Sequence, residues 1–114
     1  MIFFGRRDGG RDPAFDFQLE KLSALVADFE RVRDGASPAM LVNSEVPILD
    51  KWSLALRPTP CLAGLSTGHP TLHGKDRQIA TSAVWLMSGD YTWARTLSRW
   101  YQLGRPADHF GDHA

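Results

Sequence analysis

Apolar residues recur at Phe15, Leu19, Leu22, Val26 and Phe29 in alternating steps of four and three, and Leu25 and Val32 widen the same stripe. That spacing predicts an amphipathic helix over residues 13–34. Asp12 is placed to cap it, Pro13 suits a first turn where a missing N–H costs nothing, and Gly35 can take the left-handed conformation that stops it. Asp28 with Arg31, and Glu30 with Arg33, sit three apart on the outer side. A lone amphipathic helix is marginal in water, so this one needs a surface to cover.

Residues 36–50 contain Pro38 and Pro47 and read as irregular, with a short strand at Met40-Leu41-Val42. From Lys51 the period changes to two: Trp52, Leu54 and Leu56 alternate with Lys51, Ser53, Ala55 and Arg57, the pattern of a half-buried strand stopped by Pro58-Thr59-Pro60. Cys61–Thr67 reads as a second short strand, and Gly68-His69-Pro70 turns the chain. Gln78–Met87 reads as a central strand, because Ile79, Thr81, Ala83, Trp85 and Met87 on one face and Ala80, Ser82, Val84 and Leu86 on the other leave both faces largely apolar. Residues 91–104 fit two templates. As a helix, Asp90 caps and Trp93, Leu97, Trp100 and Gly104 align. As a β-hairpin, Tyr91, Trp93, Arg95 and Leu97 share a face and the chain breaks near Ser98-Arg99. The hairpin is preferred, since the segment follows a turn at Ser88-Gly89-Asp90 and is rich in Thr, Trp and Tyr.

These elements predict an α+β fold, with an N-terminal amphipathic helix packed on a small, mostly antiparallel sheet of three to five strands built from residues 51–104. The expected core is Leu19, Leu22, Val26, Phe29, Trp52, Leu54, Leu56, Ile79, Val84, Trp85 and Leu97. Residues 1–12 read as a flexible basic, Gly-rich arm within which Phe3 and Phe4 can dock as a short strand. Residues 13–106 read as a single domain, and 107–114 as a loose tail.

Composition narrows the function classes. The chain has 114 residues, 43% hydrophobic and 23% charged, an ordinary globular balance. Thirteen Lys and Arg face thirteen Asp and Glu, which argues against bulk charge as the means of binding. A lone cysteine, Cys61, excludes an internal disulfide scaffold. The apolar start Ile2-Phe3-Phe4 is followed, not preceded, by charge and is too short for a secretory signal. A cytoplasmic protein with no membrane partner is expected.

The strings Cys61-Leu62-Ala63-Gly64, Thr67-Gly68-His69-Pro70, Ile79-Ala80-Thr81-Ser82 and Trp93-Ala94-Arg95-Thr96-Leu97-Ser98-Arg99-Trp100-Tyr101-Gln102-Leu103-Gly104-Arg105-Pro106 resemble a small alphaproteobacterial domain family of unknown function. The last block is the most specific part. The resemblance implies a bacterial, cytoplasmic, single-domain protein of the kind carried on plasmids or prophages. It brings no known activity and hence no catalytic residue.

Candidate chemistry is thin. His69 and His73, and His109 and His113, have the four-residue spacing of helical metal ligands, with Cys61, Asp108 and Asp112 available to complete a set. Pro70, Gly74 and Gly111 work against helices at both pairs, so no metal is expected. Cys61 or Ser82 with His69 and Asp76 lacks any motif that would fix a nucleophile beside a base. Glu45 and Asp50 lie in irregular sequence, and the Gly5–Gly10 stretch lacks the strand and Gly-Lys-Ser/Thr ending of a phosphate loop. No enzyme activity and no cofactor are expected.

The C-terminal half is different. From Gly74 to Arg105, Lys75, Arg77, Arg95, Arg99 and Arg105 outnumber Asp76 and Asp90, and they interleave with Trp85, Tyr91, Trp93, Trp100 and Tyr101. Trp, Tyr and Arg are the side chains that dominate protein interfaces. A domain this small leaves some of Phe3, Phe4, Trp93, Trp100 and Phe110 exposed. The expectation is a non-enzymatic protein-interaction module, an inhibitor or adaptor such as an anti-CRISPR-like or other host-defence antagonist on a mobile element. Its partner is another protein or a second copy of itself. The expected contact residues are Arg95, Arg99, Trp100, Tyr101 and Arg105. The alternative is a small nucleic-acid-binding protein that uses the Arg, Trp and Tyr of residues 75–105.

Overall fold

The computed structural model describes residues 1–5, 12–43 and 45–107. The chain divides into two units, Met1–Asp12 with Pro58–Ala114, and Pro13–Arg57. The expected α+β class holds: one long helix and a mostly antiparallel sheet of several strands.

In the first unit, β1 (Ile2–Phe4), β4 (Val84–Ser88), β5 (Trp93–Thr96) and β6 (Trp100–Gln102) form a four-stranded sheet in the order β1-β4-β5-β6, and β2 (Ala63–Ser66) with β3 (Arg77–Ala80) forms a two-stranded sheet. The run β4-β5-β6 is an antiparallel meander, so residues 91–104 are the expected hairpin and not a helix. β1 adds parallel to β4, with Ile2 opposite Leu86 and Phe4 opposite Ser88. Phe3 and Phe4 therefore do dock as a strand.

The expected continuous strand over 78–87 is two strands in two sheets. At Thr81 the backbone turns to Leu62: the Thr81 N–H donates to the Leu62 carbonyl at 2.8 Å, and the Leu62 N–H donates to Thr81 Oγ1 at 2.9 Å. β4 also carries a bulge between Val84, opposite Thr96, and Leu86, opposite Arg95. The extra residue there brings Val84 and Met87 to one face, where strict alternation would separate them. With Ala94 they form the buried cluster, against which Phe3, Leu62 and Leu103 pack.

The second unit holds α1 (Pro13–Arg33) and α2 (Pro38–Leu41). α1 ends where Gly35 takes φ +96°; the Gly35 N–H donates to the Val32 carbonyl and the Ala36 N–H to that of Arg31, both at 3.0 Å. This pair of bonds satisfies carbonyls that the last turn leaves open. Arg31 pairs with Asp28 at 3.5 Å as expected, whereas Arg33 pairs with Asp34 at 3.4 Å and not with Glu30.

Three expectations need correction. Met40-Leu41 lies in α2, not in a strand, because Ser37 is extended and Pro38 opens a helical turn that needs no N–H. Residues 51–57 join no sheet, and Leu56 is 99% exposed; a period-two pattern makes a strand only where another strand offers its edge. Of the expected core, Val84 is buried and Leu22, Ile79 and Trp85 are half-buried, while Leu19, Val26, Phe29, Trp52, Leu54, Leu56 and Leu97 are exposed. Leu97 falls in the β5–β6 turn, where its N–H donates to the Ala83 carbonyl and its side chain is left outside. The expected arm over residues 6–11 and the tail over residues 108–114 lie outside the described residues. Among the described residues no helix is long and apolar enough to cross a membrane.

Thr96 is 1% exposed and organises the turn into β6: its Oγ1 donates to the Arg99 carbonyl at 3.1 Å and accepts the Ser98 and Arg99 N–H groups at 3.2 Å. Thr96→Val keeps the shape but removes the acceptor of the Arg99 N–H, while the Ser98 N–H keeps Ser82 Oγ at 3.2 Å and the Arg99 carbonyl keeps the Thr96 N–H at 2.9 Å. It should destabilise the fold by about 0.5–1.5 kcal/mol in urea or thermal unfolding. A change below a few tenths would contradict this role.

Candidate functional site

The two faces of the β4–β6 meander follow from its register. Ala94 is completely buried and lies opposite Met87 and Tyr101, so this row faces the core. Trp93 and Arg95 must then point the other way, with Gln102 and Trp100 opposite them. Ile2 and Leu86 continue the Arg95–Trp100 row, and Phe4 and Ser88 continue the Trp93–Gln102 row.

On this second face the aromatic rings meet. Trp93 and Trp100 stand edge to face, centroids 6.5 Å apart at 87°, and Phe4 meets Trp100 edge to face at 5.8 Å. Such pairs favour this mutual orientation by about 0.5–1.5 kcal/mol. Trp93 is nevertheless 44% and Trp100 49% exposed. Arg95, half-buried, shares the Trp100 row. The described residues give Arg95, Arg99 and Arg105 no ion-pair partner; the described salt bridges lie at Arg31 and Arg33.

A dense turn sets Trp93 in place. Asp90 Oδ1 accepts the Ser88 hydroxyl at 2.7 Å, the Thr92 hydroxyl at 2.6 Å and the Thr92 N–H at 3.1 Å. Ser88 Oγ accepts the Trp93 N–H at 2.9 Å. Tyr91 takes φ +60° inside this turn, and its ring packs edge to face on Phe3 at 5.7 Å. The Thr92 and Ser88 hydrogen bonds hold the Asp90 carboxyl below its ordinary value.

The five expected contact residues do not form one patch. Arg95 and Trp100 are cross-strand partners on the aromatic face. Tyr101 alternates to the core side, where its ring lies 6.1 Å from that of His69. Arg99 is half-buried in the β5–β6 turn, and its charge reaches His69. Arg105 is exposed beyond β6. Trp93 and Phe4 complete the face but are absent from that set. Trp93 was legible as the i−2 neighbour of Arg95 on a strand, whereas Phe4 enters through a pairing with β4 that no local pattern announces.

His69 is a structural anchor. Its Nδ1 accepts the Thr71 and Leu72 N–H groups at 3.1 and 3.0 Å, which places the ring proton on Nε2. The two bonds fold the β2–β3 connection into a bend, so His69 and His73 are not on a helix. The described residues contain no group of three or more His, Cys, Asp or Glu placed to hold a metal, and His109 and His113 lie outside them. Cys61 is exposed.

The meander gives its unit a surface of aromatic rings and one guanidinium, in a chain of α+β class. Over residues 18–113 the chain matches a family of unknown function, DUF6634, and it belongs to that family. No curated protein and no solved structure matches it. The family match includes β5 and β6 but begins inside α1, so Phe4 lies outside it.

Burial lowers the His69 pKa from the ordinary 6.5, and the Arg99 and His73 charges lower it further. Above 6.5 both folded and unfolded forms are neutral at this ring and its contribution to stability is complete. As pH falls below 6.5 the unfolded chain takes the proton first, and stability is lost until the folded ring also protonates. The melting temperature should therefore drop between pH 7.5 and 5.5. His69→Asn, which retains an acceptor near the Nδ1 position, should show a smaller drop. Parallel curves for the two proteins would remove His69 as the cause.

Proposed function

We propose that the protein is a non-enzymatic interaction module that binds another protein through the outer face of β5 and β6. The reading is supported by one observation above the rest: the edge-to-face Trp93–Trp100 pair, nearly half exposed, with Arg95 beside it. Rings held in place lose little freedom on binding, and desolvated Trp and Arg contribute most at interfaces. Trp100, Arg95, Trp93 and Phe4 supply the contact; Tyr101 supports it from the core side, and Arg99 and Arg105 lie outside it, in the β5–β6 turn and beyond β6. The complementary partner carries an apolar slot for the rings and acidic side chains around it. The setting we infer is an alphaproteobacterial cytoplasm, with the gene on a plasmid or prophage and the module acting as an inhibitor or adaptor, for instance against host defence. Its support is the resemblance carried by Thr67–Pro70 and Trp93–Pro106.

The test compares full-length protein with the Trp93→Ala/Trp100→Ala variant, both shown to be folded, by affinity capture from the native host with quantitative mass spectrometry. A partner retained by the first and reduced at least about 30-fold on the second, the effect of losing ~2 kcal/mol, supports the proposal. An identical set of retained proteins overturns it.

The surplus of positive charge over residues 74–105 favours a second reading, single-stranded nucleic acid stacked on Trp93 and Trp100. Binding would then weaken steeply as salt rises, and Arg95→Ala with Arg99→Ala would flatten that dependence. Absence of retention on single-stranded DNA or RNA at low salt excludes it.

A further inference from the structure

Residues 13–57 contain no buried side chain among those described. Leu19, Leu25, Val26, Phe29 and Val32 of α1 are each more than half exposed, and Phe15 and Leu22 only half-buried. A helix draws most of its stability from covering its apolar stripe, and within the unit Pro13–Arg57 no described side chain is buried to cover that of the 21-residue α1.

We propose that α1 is a self-association helix that packs antiparallel against α1 of a second copy. The stripe Phe15, Leu19, Leu22, Val26, Phe29 continues to Arg33 with steps of four, three, four, three and four, a heptad seam. Read in reverse, the steps are the same. A reversed copy therefore aligns layer by layer: Leu22 with Val26, Leu19 with Phe29, and Phe15 with Arg33 of the other helix.

Side-chain chemistry selects this direction. A parallel pair would set Arg33 against Arg33, like charges in the seam, and Phe29 against Phe29. The antiparallel pair puts each guanidinium by a Phe15 ring, a favourable cation–π contact, and sets the large Phe29 against the smaller Leu19. The surface is also adequate. Leu19, Leu25, Val26, Phe29 and Val32 each offer on the order of 100 Å², and the half-buried Phe15 and Leu22 about half that. That gives roughly 600 Å² per copy, at the lower end of specific interfaces, whose typical size is ~800 Å² per partner. Equal numbers of acidic and basic residues leave no net charge to drive two copies apart. The contact uses none of the residues of the aromatic face, so it stands or falls separately from the proposed function.

Sedimentation of the full chain should give twice its 12.7 kDa mass. Val26→Glu should weaken association at least tenfold. Cysteine scanning in a Cys61→Ser background then reads the geometry without relying on that variant's folding. Leu25 faces Leu25 of the second copy across the antiparallel axis, so Leu25→Cys should cross-link with itself under mild oxidation. Leu19→Cys should not, because its own copy lies ten residues along the seam, about 15 Å away. Mixing Leu19→Cys with Phe29→Cys should restore cross-linking. A 12.7 kDa species at every concentration, or self-cross-linking of Leu19→Cys, overturns the proposal.

Discussion

Side chains on a β-strand leave it alternately to either side, and in this molecule one small residue decides which side is which. Ala94 is fully enclosed by the core cluster, so Trp93 and Arg95, its neighbours along β5, have no route inward. The register then carries that choice to β6, where Trp100 is forced to the side of Arg95 and Tyr101 to the side of Ala94. The exposed rings are thus not leftovers from an incomplete core. They are the necessary obverse of the strand face on which Ala94 meets Met87 and Tyr101.

Two polar devices keep this arrangement in register. At one end of β5, Ser88 and Asp90 gather the backbone and hydroxyl of Thr92 and the N–H of Trp93. At the other, Thr96 closes the turn through Ser98 and Arg99. Both place a hydrogen-bonded side chain where a tight connection would otherwise strand backbone groups. His69 plays the same part for the β2–β3 connection, and its tilted ring contact with Tyr101, 6.1 Å between centroids, makes that tyrosine part of the scaffold. Arginine and aromatic residues close in sequence therefore separate into two roles once the strand sorts them.

Much of this was legible from local pattern. The helix, its Gly35 stop, the turn at Ser88–Asp90 and the hairpin with its break near Ser98–Arg99 all follow from spacing and turn chemistry. What was not legible depends on non-local pairing. The bulge beside Trp85 places Val84 and Met87 together, against alternation. The partner of β4 is a three-residue strand that precedes the helix. The alternation of Trp52, Leu54 and Leu56 is as regular as that of any strand here, yet no edge receives it. For the site, Arg95 and Trp100 could be chosen from composition, but separating them from Tyr101 required the register, and Phe4 required the tertiary fold.

β1 and β4 join positions more than eighty residues apart, whereas β4, β5 and β6 are linked by short turns. The loss of chain freedom on closing a connection rises with its length, so the meander is the durable piece and β1 the strand most readily released. Release would take Phe4 away from Trp100 and uncover the unpaired backbone of β4. A ligand that grips Phe4 and Trp100 together would therefore clasp the sheet shut as it binds. Occupancy of the face and integrity of the sheet margin would rise and fall as one equilibrium.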